Sequence, residues 1–261
     1  MSERRIEKVT FAGHASHLLS GVLHYPEKER RAGIILSHCF TCTKDYKVLA
    51  WLANELAAKG HSVLRFDFAG LGTSQGEFAA TTLSTNVEDL VRAEAWMREQ
   101  GHPVRTLVGH SLGGAAAILA TDLLPSIRTV AVLGTSSEVG RVARILSEKD
   151  WHDLETKGEV TVSIGGYSRP IRRAFIEDLK QHSLLETVST WDKALLVISG
   201  TADRVVSGES QEELFRAAAQ PKAFFTLPGA DHLFANSRHH AVHMANILDE
   251  WIQLNRKDET Q

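Results

Sequence analysis

The sequence predicts an α/β fold, a mostly parallel eight-stranded sheet flanked by helices with a small insertion over one end. Three observations carry that expectation. Short apolar runs rich in Val, Ile, Leu and Phe alternate with longer stretches of helical, amphipathic period. The chain's 261 residues, 43% of them hydrophobic, suffice for one substantial core, and single α/β domains commonly pass about 200 residues. A Gly-x-Ser-x-Gly pentapeptide stands between one apolar run and the helical stretch after it.

Taken in order, strands are expected over 6–11, 17–25, 33–37, 62–66, 105–108, 129–133, 194–199 and 223–227, the first two forming a meander. Helices are expected over 46–59, where Leu49, Leu52 and Leu56 recur at helical spacing, and over 87–99, with Leu90, Val91 and Met97. Both stop before a glycine, Gly60 and Gly101, the residue that most readily closes a helix. Further helices are expected over 112–124 and 240–254. The interval 135–190 breaks the alternation with a hairpin around Gly165 and Gly166 and a helical run over 171–184. An insertion this long in a compact α/β unit reads as a cap over the site, within a single domain spanning 1–261.

Gly109-His110-Ser111-Leu112-Gly113 has the form of a nucleophile elbow, in which a strand turns sharply into a helix and presents the serine hydroxyl. Glycines are needed two residues either side because the serine backbone is strained and side chains there would collide. A serine hydroxyl is a poor nucleophile at neutral pH without a base and a group that fixes the base's tautomer. Asp203, in TADRVV just past the run ALLVI, and His232, in GADH just past AFFTL, complete the order Ser, Asp, His. All three fall at strand carboxyl ends, where open α/β sheets bind ligands. Asp231 is a rival acid, but an immediate neighbour of the base is badly placed to bond its Nδ1. The Leu112 N–H is one expected oxyanion donor; the second is the Phe40 N–H, with Cys39 as the alternative, and His38 is expected to brace that loop.

His38-Cys39-Phe40, RFDFAGLGTSQGEF, GHSLGG, TADRVV and GADH together resemble the α/β-hydrolase superfamily over essentially the whole chain. The departure is Cys39, where many members carry glycine after the histidine. More narrowly, HCFTCTKD, RFDFAGLG and GEVTVSIGG are similar to the hydrolase half of bacterial proteins fused to an OsmC-type peroxide-reductase domain. The chain ends after NRKDETQ with no room for that domain, which leaves a stand-alone relative or a fused or associated partner outside this chain. The resemblance implies an α/β-hydrolase fold and a serine esterase acting on small acyl substrates through an acyl-enzyme, of the carboxylesterase kind. Thioesters and amides use the same machinery and stay open, as does a catalytically silent ligand-binding or interaction module.

Several readings are set aside. Cys39 and Cys42 form a C-x-x-C that could suggest redox chemistry; two small side chains packed under the oxyanion loop is the plainer expectation. His239 and His243 stand at i, i+4 spacing without a further ligand, so no metal is expected there and no cofactor elsewhere. The glycines of the loop over 67–76 fit neither phosphate-binding fingerprint. Lys plus Arg total 29 against 32 Asp plus Glu, a net charge of −3 without a basic stripe, which argues against nucleic acid. With no apolar leader or membrane-length run, the expectation is a cytoplasmic protein away from membranes.

Overall fold

The computed structural model describes residues 5–27, 31–164 and 167–256. Its strands are β1 (Ile6–Ala12), β2 (Leu18–His24), β3 (Gly33–Ser37), β4 (Val63–Phe66), β5 (Val104–His110), β6 (Thr129–Leu133), β7 (Glu159–Ile164), β8 (Tyr167–Arg172), β9 (Ala194–Gly200) and β10 (Lys222–Leu227). Eight form one sheet in the order β1-β2-β4-β3-β5-β6-β9-β10, while β7 and β8 pair separately. The β1–β2 and β2–β4 pairs are antiparallel and the remaining neighbours parallel, giving the expected α/β-hydrolase architecture. From β3 the chain crosses to β4 on one side and returns to β5 on the other, so the strand order reverses between β3 and β5. Ligand crevices in such sheets lie at the carboxyl ends of the strands beside that reversal.

Helices cover both faces. On one side α1 (Lys47–Ala58) packs against α8 (Arg238–Leu254); on the other α2 (Leu83–Glu99) packs against α3 (Leu112–Ala120). The two-residue period of the strands divides the core accordingly. Ile34, Leu36, Val108, Ala131 and Leu133 face the α1–α8 layer, whereas Ile35, Leu107, Val130 and Val132 face α2 and α3. Every residue of β3, β4, β6 and β9 is buried, which is why these strands read as continuous apolar runs. The glycines expected to close helices do so: Gly60 and Gly101 follow α1 and α2 with φ of 102° and 74°.

Between β6 and β9 the chain forms a 3-10 turn (Val139–Ile145), α4 (Glu148–Lys157), the β7–β8 hairpin, α5 (Arg173–Leu179) and α6 (Leu184–Ser189). The expected hairpin is present, although Gly165 and Gly166 at its tip lie outside the described residues. The helical run expected over 171–184 is corrected. Ile171 and Arg172 remain in β8, paired with Val160 and Glu159, and Ser183 caps α6 as a new helix. Helical α4, nucleated by a capping box of Ser147 and Asp150, and α7 (Gly208–Ala217) complete the chain. No helix of the described residues is long and apolar enough to cross a membrane.

Candidate active site

Ser111 follows β5 directly and opens α3 with φ 53° and ψ −119°, a positive φ that non-glycine residues rarely take. Its neighbours hold it there. Its N–H donates to the Leu133 carbonyl at 2.9 Å, and the Thr135 hydroxyl donates to its own carbonyl at 3.0 Å. A Cβ on Gly109 would stand 2.4 Å from the Gly113 carbonyl, and one on Gly113 would stand 2.3 Å from the His38 carbonyl. The glycines of the motif are therefore demanded by backbone crossing backbone, as expected from crowding. The same contact sets the loop after β3 against the first turn of α3.

The Asp203 carboxylate sits in the loop after β9, anchored through Oδ1 by the N–H groups of Val205 and Val206 at 2.8 and 2.9 Å. Its Oδ2 meets Nδ1 of His232, in the loop between β10 and α8, at 2.9 Å. With the carboxylate accepting at Nδ1, the other ring nitrogen, Nε2, carries the lone pair of a neutral imidazole. Both side chains are shielded, at 1% and 11% exposure. Burial alone would raise the Asp203 carboxyl, but the hydrogen bond and charge of His232 and the two amides outweigh it and hold it below the ordinary 3.8.

His232 is brought to Ser111 by two contacts. Its ring edge lies against Gly134, where a Cβ would stand 3.2 Å from Nδ1, one residue after Leu133, to which Ser111 is bonded. Its backbone carbonyl accepts from His110 Nε2 at 2.7 Å, with the two rings 5.0 Å apart. Among the described residues no hydrogen bond joins the Ser111 hydroxyl to the imidazole, a bond that often tightens only around substrate. Asp231 makes no bond to the base; its Oδ1 is buried without a partner.

The expected oxyanion donors lie on adjoining segments. The Leu112 N–H opens α3 and has no intrahelical carbonyl to bond. Phe40 occupies the turn Cys39–Cys42, closed by the Cys42 N–H on the Cys39 carbonyl at 3.2 Å, a bond that leaves the Phe40 amide out. His38 braces this loop, donating from Nδ1 to the Cys39 carbonyl at 2.8 Å and accepting the Phe68 N–H at Nε2. Lys44 fastens its far end: Nζ and N–H both reach the Asp67 carboxylate at 2.6 Å, with the two side chains 7% and 0% exposed. Asp67 thus accepts the Thr73 N–H and pairs with Lys44 besides.

One expectation about this loop is corrected. Cys39 and Cys42 do not merely pack side by side but are joined by a disulfide across their three-residue separation. His239 and His243 are exposed near the start of α8.

Four contributors were not anticipated. His110 is fully buried beneath the imidazole, and burial, followed by the proximity of His232, pushes its pKa down to about 3. Its position was legible, since the two-residue period of β5 puts it on the face of Val108. Tyr46 donates to the Leu233 carbonyl at 2.7 Å and lies parallel to the His110 ring, pinning the histidine loop. Phe175 of α5 stacks on Phe40 at 4.8 Å, with Phe78 at 5.4 Å, so the insertion closes over the Cys39–Cys42 turn with aromatic rings. Lys44 carried no signal distinguishing it from a surface lysine. A cavity of about 610 Å³ opens instead at the opposite, amino-terminal ends of β5 and β6, lined by Arg31, Arg105, Arg128 and Arg256.

Comparison with known proteins agrees with this fold. The model of the alpha/beta hydrolase family matches residues 34–245. The chain belongs to the alpha/beta hydrolase family. This hydrolase is 32% identical to a solved esterase domain from Rhodothermus marinus, over 96% of this chain and 98% of that one, with a TM-score of 0.78. An uncharacterised protein of Mycobacterium tuberculosis is 28% identical over 217 residues, 81% of this chain and 67% of its own length. A mouse protein named as a mitochondrial palmitoyl-protein thioesterase is 28% identical over 154 residues, 56% of this chain and 50% of its own length.

Proposed function

We propose that the chain hydrolyses carboxylic esters of small acyl groups, with Ser111 as nucleophile, His232 as base and Asp203 as the acid that orients it. The hydrogen bond from His232 Nδ1 to a carboxylate itself held by two backbone amides supports this reading most, because it leaves Nε2 free to take a proton. Ser111 Oγ attacks the carbonyl as its proton passes to Nε2, and the oxyanion rests on the N–H groups of Leu112 and Phe40. Collapse of the intermediate sends that proton to the departing alcohol and leaves an acyl-serine. Water, deprotonated by the same imidazole, then releases the carboxylic acid and restores the serine.

Replacing Ser111→Ala tests this, with an expected fall in kcat of about 10³ to 10⁶ and little change in thermal melting. Retained turnover would show that another group attacks. A fluorophosphonate probe addresses the silent-module reading: the native chain should label and the Ser111→Ala chain should not, whereas a binding module would label in neither. A second reading, thioester hydrolysis, is favoured by the mouse relative's name and by the similarity over 154 residues. Matched oxygen esters, thioesters and peptide amides of one acyl group separate these, and the ester should give the highest kcat/KM.

A further inference from the structure

Directly beneath the elbow, Cys39, Cys42 and His110 each bring a ligand atom within 4.8 Å of the others. Cys39 and His110 are buried and Cys42 is half-buried. The hydrogen bonding of the imidazole prepares it for coordination. Its Nε2 meets the His232 carbonyl, which can only accept, so the proton is on Nε2 and the lone pair on Nδ1. That Nδ1 is fully buried and has no hydrogen-bond partner, and buried polar atoms left so are rare. A ring that donates its other N–H to a backbone carbonyl is also the arrangement metal-ligating histidines adopt almost without exception.

We propose that, once the Cys39–Cys42 disulfide is reduced, the two thiolates and Nδ1 of His110 bind one thiophilic divalent cation of the zinc type. A dithiol reductant supplies the two electrons and two protons that open the S–S bond and leaves as its own cyclic disulfide. The cation then displaces both thiol protons to solvent. Tetrahedral zinc, with bonds of about 2.3 Å to sulfur and about 2.0–2.1 Å to nitrogen, separates its ligand atoms by about 3.5–3.8 Å. A ring nitrogen of His110 and both sulfurs already lie within 4.8 Å of one another, with the Cα atoms of the cysteines 5.2 Å apart, so an adjustment of about 1 Å separates the present arrangement from that spacing. Two sulfurs and one imidazole select a soft or borderline ion over magnesium or calcium. Such an ion ties the turn bearing the Phe40 amide to the residue preceding Ser111, and three protein ligands leave a fourth position open. The site does not depend on the esterase reading, because no step of hydrolysis enters it.

The test is cobalt titration of the full chain, reduced with excess dithiol and freed of it under anaerobic conditions. One equivalent of Co²⁺ should produce a sulfur-to-cobalt band in the near ultraviolet with intense four-coordinate bands in the visible, both abolished by Zn²⁺. The air-oxidised chain should give neither, an internal control that needs no substitution. Cys42→Ser should weaken binding more than about a hundredfold, beyond the range that altering a ligand's hydrogen-bond partner gives. His110→Gln, which keeps a donor for the His232 carbonyl and removes the Nδ1 ligand, should shift the visible bands. Absence of the sulfur band in the reduced chain would overturn the proposal. Equal affinity in the oxidised chain, or in Cys39→Ser/Cys42→Ser, would overturn it too, by assigning the ion to imidazoles elsewhere such as His239 and His243.

Discussion

His110 is the residue whose chemistry reaches furthest through this molecule. It is buried, neutral down to about pH 3, and holds the loop bearing His232 by donating to that residue's carbonyl. In the unfolded chain a histidine protonates below about pH 6.5, so between these values the unfolded state binds more protons and stability rises with pH. His38, buried in the oxyanion loop, is depressed in the same direction, chiefly by burial. His110→Gln retains a donor without the titration and leaves His38 in place. Urea unfolding of the native chain should therefore lose about 2 kcal/mol more than that of His110→Gln between about pH 7.5 and 5. Parallel pH profiles for the two proteins would show that His110 takes up its proton as readily in the folded state as in the unfolded one. The sequence placed Ser111, Asp203 and His232 because each carries a local signature at a strand end. His110 lay inside the same motif, but its use of the His232 carbonyl is a contact across 122 positions, which spacing along a chain does not encode.

At the level of elements, the first turn of α3 and the loop after β3 act as one unit, and Gly113 is what lets them meet. A methyl group there falls 2.3 Å from the His38 carbonyl and 2.8 Å from that of Ser37, both backbone atoms that cannot swing aside. Gly113→Ala should cost about 1–3 kcal/mol of stability and push the two expected oxyanion donors apart. Calorimetry and ester turnover should fall together, whereas full stability with full activity would mean the loop yields freely. The sheet strands were legible to within a residue or two, the central ones because burial on both faces makes them largely apolar. Within 135–190 the record was poorer. Ile171 and Arg172 suit a helix by pattern, yet cross-strand pairing with Val160 and Glu159 claims them for β8, a tertiary preference overriding a local one.

Over the whole molecule, a buried ion pair joins layers that no single motif connects. Lys44 lies on the loop after β3, Asp67 on the loop after β4, and a Cβ on Gly72 would stand 2.1 Å from the carboxylate, so no side chain fits there beside it. Lys44→Met alone strands a buried charge and should cost about 3–5 kcal/mol, while Lys44→Met/Asp67→Asn should recover part of that loss. Denaturant melts of the two variants check this, and equal destabilisation in both would point to the Asp67 bonds with the Lys44 and Thr73 amides as the true fastening. Composition and the order of elements gave the α/β class, and the family came from the resemblance of GHSLGG, TADRVV, GADH and the neighbouring motifs. They did not reveal the aromatic lid of Phe40, Phe78 and Phe175, since rings from three distant segments meet only after the insertion folds back.

The helix α8 begins six residues after His232 and runs for 17 residues, about 25 Å, down one face of the sheet. It delivers Asn255 and Arg256 to the rim of the arginine-lined cavity at the far pole. Cargo spliced on behind Arg256 therefore leaves from the pole opposite Ser111, Asp203 and His232. A fluorescent protein grafted there should leave ester kcat/KM within about twofold of the untagged value, since it removes no contact made in the transition state; a larger drop would mean that the graft folds back across the mouth.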